Sequence, residues 1–558
     1  MFNNLIEKAM KRFFIAVAAL LVTTVAAEAQ NTSGLLLNRD IIPASSLVSL
    51  SQREAAGTAR SMGIGGAFTS LGADMASFGY NPAGFGMYQR NEISVSLGLG
   101  TTHAKNYNAY STSDNNRTRF VVNNFGAAFK VYESTGTLTA VNFALGYNKT
   151  ADYNYNIAYE GPATISSLAD VFADIANGGN LAINAENKIT DSNGYYDYDM
   201  NPYYWGTVMA YKGGLINMGE NGWYPDEIAQ GAQMRQFTNL ASRGSAGEFS
   251  FALGLNINNI VYLGASLDIQ TISRKQTIYY NEYINYAEGE EPNTTDYPYL
   301  LNNFEFGQSI LIDGSGVGAK LGIVVRPTED LRIGFAIHTP TYYSVLYRYS
   351  ASLYSMAKSV GDNPYGWEVV NGNVYASEST PTLKDSGDHR WAFTTPTRLL
   401  AGLSYVVGPY ALFSVDYQYD AYRTLELSYS PAATGYNNSL FRKSLKGVHT
   451  IRAGIEAKPT PWLSLRVGGG YKSKLLNNNY DTVALSEPMA DSSWYASAGL
   501  GFRLGKVTSV DLAYQYRNTR YSDYYSFHTN LSGTPNASPL YGLDLLNHNI
   551  ALTFAFRF

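Results

Sequence analysis

The sequence predicts an all-β fold: a 14-stranded antiparallel transmembrane β-barrel with an N-terminal hatch, or plug, inside its lumen. Three observations predict it. The segment Gly57–Tyr88, GTARSMGIGGAFTSLGADMASFGYNPAGFGMY, is rich in Gly and Ala, has almost no charge, and shows neither strand alternation nor a clean helical stripe. From Glu92 to Phe558 the chain then becomes a long series of alternating strands. No later stretch reaches 18 continuous apolar residues, so no helix is expected to span a membrane. Only helices and closed barrels satisfy every backbone polar group in lipid, so a membrane form of this chain must be a closed barrel.

Composition agrees. There are 46 Tyr, 25 Phe and 52 Gly against 40 Lys+Arg and 45 Asp+Glu, a balance suited to lipid-facing strands. The net charge of -5 argues against a nucleic-acid partner, which favours a basic face. The chain has no Cys, which excludes thiol catalysis and thiolate metal ligation and suits passage through an oxidising compartment.

In chain order, residues 1–29 read as a signal peptide. Lys8, Lys11 and Arg12 precede the apolar Phe13–Val25, and Ala27-Glu28-Ala29 fits the small-residue cleavage rule. Residues 30–90 form the expected hatch. Within it, Pro82 restricts Asn81 to an extended conformation, and the Asn side chain can bond nearby backbone. The glycine cluster Gly63–Gly66 follows no strand and lacks the spacing of a phosphate loop.

Residues 91–558 form the barrel. Fourteen strand cores are read at 92–103, 121–131, 138–149, 247–258, 260–274, 304–326, 331–348, 391–407, 410–429, 446–458, 462–474, 493–505, 507–521 and 546–558. Each is long enough for the ~9–11 residues that a tilted strand needs to cross. Short connections such as Asn258-Asn259, Gly408-Pro409 and Gly505-Lys506 alternate with long loops, notably 150–246, as periplasmic turns alternate with extracellular loops. Glu92, Lys130, Asp268, Lys320, Arg332, Arg398, Asp416, Arg452, Glu456, Arg466, Arg503, Asp511, Arg517 and Arg557 all share the polar parity. Lys149 falls on the apolar parity, at an outer strand end where it could snorkel. Tyr147, Tyr417, Tyr419, Tyr471, Tyr514 and Tyr516 fit an outer aromatic girdle. Inside the long loop, Ile165–Ile175 reads as a helix with Leu168, Val171, Phe172 and Ile175 on one face, suited either to a capture groove or to the barrel rim. Phe554, Phe556 and Phe558 end the amphipathic last strand, and terminal Phe558 resembles the signal recognised by the barrel-assembly machinery.

The Asn81-Pro82-Ala83-Gly84 turn within its small-residue segment resembles the hatch of the FadL/TodX family of outer-membrane hydrophobic-compound transporters. Gly318–Ile323, Pro327-Thr328 and Leu331–Gly334 resemble that family's central hairpin, and Pro459–Leu465 a later turn. Asn81, Pro82 and Ala83 carry over as hatch or gating residues; no ligand-binding residue does. The resemblance implies a barrel in the bacterial outer membrane whose partners are hydrophobic small molecules, such as long-chain fatty acids, and outer-membrane lipids. Ligands would be taken up passively by the outer loops, pass to a pocket inside, and leave sideways through the wall. A kinked strand would make that exit, and Gly126 and Gly146 are places where a strand could bend.

No cofactor or metal is expected. The His residues are scattered without an HExxH motif. Glu288, Glu290 and Glu291, and separately Asp191–Gly194 with Asp197 and Asp199, only loosely suggest calcium sites. No GxSxG motif is present, and an enzyme is not expected. The alternative readings are a FadL-like barrel that docks or helps secrete other proteins and, third, an outer-membrane enzyme.

Overall fold

The computed structural model describes residues 44–54, 57–108, 112–161, 166–197, 200, 204–225, 233–285, 299–359, 369–370, 373–374, 390–429, 434–477, 489–529 and 536–558. The signal-peptide segment 1–29 and the acidic residues Glu288, Glu290 and Glu291 lie outside the described residues.

Strict alternation from Glu92 onward yields the barrel. Its strands are β1 (Glu92–Tyr107), β2 (Thr112–Glu133), β3 (Leu138–Asp152), β4 (Gln233–Ile257), β5 (Val261–Asn285) and β6 (Tyr299–Val325). β7 comes in two pieces (Leu331–His338, Tyr342–Ser359), as do β8 (Arg390–Thr394, Arg398–Val407) and β9 (Ala411–Asp420, Glu426–Tyr429). β10 (Val448–Thr460), β11 (Leu463–Lys472), β12 (Ala490–Leu504), β13 (Thr508–Tyr521) and β14 (Leu540–Arg557) complete it. Every neighbouring pair is antiparallel, and β14 pairs with β1 from Glu92–Arg557 to Tyr107–Gly542, which closes the sheet. Asn258 and Asn259, with φ of 53° and 55°, make the tight β4–β5 turn, whose left-handed positions Asn tolerates.

The two faces separate by chemistry. Leu267, Ile269, Val317, Leu321, Leu403, Val415, Val467 and Phe554 point outward and are exposed, while Glu92, Asp268, Lys320, Asp416, Arg452, Glu456, Arg466 and Arg517 are buried inside. A charge facing mid-membrane lipid costs ~2–4 kcal/mol, which enforces the alternation. This outward apolar band on a closed barrel is the solvation pattern of a bacterial outer-membrane protein. Near its outer edge Tyr417 and Tyr514 hydrogen-bond the Nδ1 atoms of His449 and His548 at 2.7 and 2.8 Å.

Two features depart from the sequence reading. Lys149 does not snorkel: the ladder shifts register between Lys149 and Ala151, and Lys149 is buried and paired with Asp152. Strands β4 and β5 also run well beyond the spans read at 247–258 and 260–274, alongside β6, whose long span was expected. On β5 the outward face changes from Leu267 and Ile269 to Thr271, Ser273 and Lys275, all exposed. This extracellular extension supports a packed body. Its helices are α3 (Leu168–Gly178) and α4 (Trp205–Lys212), and Leu168, Val171, Phe172 and Ile175 pack with Phe304, Phe306 and Tyr280 of the strands.

Candidate hatch and wall site

The hatch is built from short capped turns. In chain order its helices are α1 (Ala44–Ser51) and α2 (Ala59–Gly63), followed by 3₁₀ turns at Met75–Phe78 and Pro82–Met87. α2 and both 3₁₀ turns have a side-chain cap: Thr58 accepts from Ser61 N, Asp74 from Ala76 N, and Asn81 from Ala83 N. Such caps replace the backbone partners that a helix start lacks. Pro82 sits at the first position of its turn, where a missing N–H costs nothing.

Asn81 is fully buried, and its side chain does two jobs. The oxygen caps Ala83 at 3.0 Å. The amide nitrogen lies 2.8 Å from Thr69 O, 3.2 Å from Ile323 O and 3.3 Å from Phe335 O. The last two are carbonyls of β6 and β7, register partners in the wall. Pro82 and Ala83 lie with their backbone against Gly264 of β5: a Cβ there would come within 2.2 Å of Pro82 C and Ala83 N.

That contact belongs to a glycine belt. Gly254, Gly264 and Gly322 are mutual register partners on β4–β6, as are Gly334 and Gly402 on β7–β8, and Gly454 and Gly468 on β10–β11. A Cβ at Gly322 would meet Asn81 Oδ1 at 1.8 Å, at Gly334 it would meet Thr69 O at 2.3 Å, and at Gly454 Ile64 O at 2.2 Å. At these glycines the wall offers bare backbone to the hatch.

Polar anchors complete the seat. Asp416 accepts from Phe68 N, Thr69 N and Thr69 Oγ1 at 2.8, 2.7 and 2.6 Å. Lys320 donates to Phe78 O at 2.6 Å and pairs with Glu248 at 2.8 Å, and Glu248 also binds Arg53 at 2.9 Å. His338 Nε2 bonds Tyr80 O at 2.8 Å. Arg60 reaches Glu456 at 3.2 Å, and Arg466 joins Glu456 and Asp511 at 2.7 and 2.5 Å. A buried charge is tolerated only when so paired. The parity of these strand charges is readable in the sequence; their hatch partners, hundreds of positions away, are not.

The wall beside Asn81 has a distinct shape. On its lumen side Phe68, Leu71 and Tyr80 of the hatch pack with Ala336, Leu400 and Leu412. On its outer side an open surface groove of ≈ 690 Å³ is lined by Leu321, Ile323, Phe335, Ile337, Leu399 and Tyr417, among others, several of them exposed. Higher in the lumen a polar cavity of ≈ 80 Å³ lies among Arg53, Glu54, Arg119, Asp152, Lys472 and Arg517. Gly126 and Gly146 are register partners near the upper end of the β2–β3 ladder, which stops at Asn124–Asn148, and they make room for the Phe78 ring.

Other candidate chemistry is absorbed locally. The Asp191 carboxylate accepts from Asn193 N and Tyr195 N, capping its own turn. Among the described residues no group of three or more His, Asp or Glu could hold a metal ion.

Solved structures similar to this one are outer-membrane barrels. The toluene transporter TbuX of Ralstonia pickettii is 14% identical, with 90% of this chain and 99% of that chain covered, at a TM-score of 0.45. The toluene transporter TodX of P. putida is 12% identical, with 91% and 99% covered, at 0.47. A Pseudomonas aeruginosa FadL homologue is 12% identical, with 90% and 99% covered, at 0.49. The structural neighbours are thus of FadL/TodX type. No family model matches the sequence. A comparison with curated proteins finds no match.

Proposed function

We propose that this protein takes up hydrophobic compounds, long-chain fatty acid-like molecules among them, across the bacterial outer membrane by passive diffusion, and releases them sideways into lipid. The observation that carries this reading is the hatch seated backbone-to-backbone in the barrel. The wall beside Asn81 is apolar on both faces. In this reading Asn81, Pro82 and Ala83 belong to the gating part of the hatch. Sideways release delivers the ligand where transfer is favourable by ~0.8 kcal/mol per CH₂, so no energy source is required. The toluene transporters named above support the substrate class. Outer-membrane lipids are the receiving phase, and exposed Phe558 is the feature offered to the barrel-assembly machinery.

Docking of other proteins is the second reading. Its support is the extracellular body on β4–β6, whose core is filled by its own side chains and whose surface carries Tyr195, Tyr196 and Tyr224. Native mass spectrometry with lipid extraction of the purified protein separates the two. A co-purifying acyl or hydrocarbon ligand is expected; its consistent absence transfers the weight to docking.

A further inference from the structure

We infer that the outward face of β4–β7, above the apolar band, holds the phosphorylated sugar head of an outer-leaflet glycolipid, a lipopolysaccharide, through Arg243, Lys275 and Arg348. The inference needs only the placement of the barrel in the outer membrane and is independent of the uptake reading. Register sets the three cations side by side. Arg243 pairs with Lys275, Lys275 with Leu311, and Leu311 with Arg348, so one row across four strands carries them. Neighbouring strands lie ~4.8 Å apart, so the row spans about 14 Å. Lys275 is exposed, and Arg243 and Arg348 are partly so. Six residues nearer the membrane on each strand lies the row Phe249–Ile269–Val317–Tyr342, all exposed, with Tyr147 of β3 opposite Phe249. Tyr147 and Tyr342 mark this level as the aromatic girdle at the lipid boundary. Six residues along a strand tilted by about 40° raise the cation row ~15 Å above it. A phospholipid head group occupies only the first ~5–8 Å beyond the hydrocarbon. The phosphorylated sugars of a glycolipid stand taller and meet the row.

The positive charge of the row is uncompensated. Among the described residues none of the three cations has an ion pair. On this face the acids by register are Asp313, one pair lower beside Ser273 and Leu346, and Glu305, three pairs higher opposite Asn281. Other outward cations are matched: Arg235, higher on β4, pairs with Glu160, and Lys105 and Arg520 both have Asp544 as register partner. Arg117 of β2 adds to the excess. Burial and, next, the Arg117 guanidinium lower the pKa of Arg243, and Arg117 Nε is itself buried without a partner. Like charges gathered without a counter-ion repel, and an anion bound among them removes that cost. The Arg243 guanidinium is held in place by Nη1, which donates to Tyr155 O and Ser242 O at 3.2 and 2.7 Å. Arginine meets phosphate through paired N–H groups and lysine as a point charge, so two arginines flanking a lysine suit a head group that carries phosphate on sugar.

The test adds purified rough lipopolysaccharide, with phosphorylated core sugars, to the full-length protein in detergent and counts bound copies by native mass spectrometry. The parent is expected to retain it. Lys275→Glu with Arg348→Glu is expected to weaken retention by about 10-fold or more, since each charged contact is worth ~1.5–3 kcal/mol. Lys275→Gln, a neutral change at an exposed position, should give a smaller loss and carries the test where the double reversal does not fold. Folded barrels are recognised by their unheated gel mobility. Lys105→Gln with Arg520→Gln should lose nothing, and the same glycolipid stripped of phosphate by hydrofluoric acid should not be retained. Equal retention by the parent and the row variants overturns the inference, as does an equal loss with Lys105→Gln and Arg520→Gln. Equal retention of the stripped glycolipid or of phosphatidylglycerol reduces the row to a general lipid contact. Displacement by millimolar inorganic phosphate assigns it to a free anion, and either result overturns the glycolipid assignment. All of these outcomes leave the uptake reading untouched.

Discussion

Gly322 shows how little room the hatch leaves. A Cβ there would sit 1.8 Å from Asn81 Oδ1, and its register partner Gly264 is in the same position against Pro82 and Ala83. Gly322→Val is expected to unseat the Asn81–Ala83 turn, since overpacking a filled site costs ~1–3 kcal/mol. The check is single-channel conductance in planar bilayers: the variant conducts where the parent is silent, with the folded barrel band retained on unheated gels. The part Asn81 plays within its own turn was legible, because an Asn before Pro is held extended and can cap the next turn. Its reach to Ile323 and Phe335 was not, because nothing local encodes a partner 242 or 254 positions away.

Among elements, α3 was legible from its apolar stripe, but its tether was hidden. The Ser167 hydroxyl and Leu168 N donate to Glu282 at 2.6 and 2.9 Å, Tyr280 OH donates to the same carboxyl, and Gln236 lies 3.3 Å away. Glu282 is fully buried on the extracellular extension of β5, and burial pushes its carboxyl up to about 7. Asp170, facing it from α3, is pushed up by burial to about 6. Burial outweighs the donated hydrogen bonds, which favour the ionised carboxylate, so the folded state favours the protonated form. Its contribution to docking of α3 is therefore complete below about pH 4.5, falls as pH rises, and is lost above about 7. The upper bound is on the order of 3 kcal/mol. Protection factors of the Leu168–Gly178 amides, with the base-catalysed intrinsic rate divided out, should be lower at about pH 8 than at about pH 5, and Glu282→Gln should remove most of that difference. For β7 and β8, Pro340 and Pro396 were in plain view inside spans read as continuous. Proline inside a central strand argues for a break, and the repeated Thr-Pro-Thr carried that signal.

At the scale of the molecule, the fourteen spans were legible because lipid penalises any charge that points outward, so alternation cannot drift. The extended ends of β4 and β5 were not, because beyond the membrane that penalty vanishes and the residues from Lys275 onward look like loop, whereas the long span of β6 was read. The charges that alternation drives inward become the fastening of the hatch. Removing one partner of such a buried set leaves an uncompensated charge, at ~3–5 kcal/mol. Glu456→Gln, which deprives Arg60 and Arg466 together, is expected to lower the temperature at which the barrel loses its unheated gel mobility. A shift of the same size as for a surface variant such as Glu186→Gln would contradict this role.

The hatch also binds the final stave. Ala59 N donates to Thr553 Oγ1 of β14 at 2.7 Å, while Phe68 and Thr69 depend on β9. A segment that precedes every strand in the chain thus completes its bonding only once the fourteenth has joined. The full set of contacts that seat it exists only in the closed cylinder. A half-built cylinder has nowhere to fasten its own stopper.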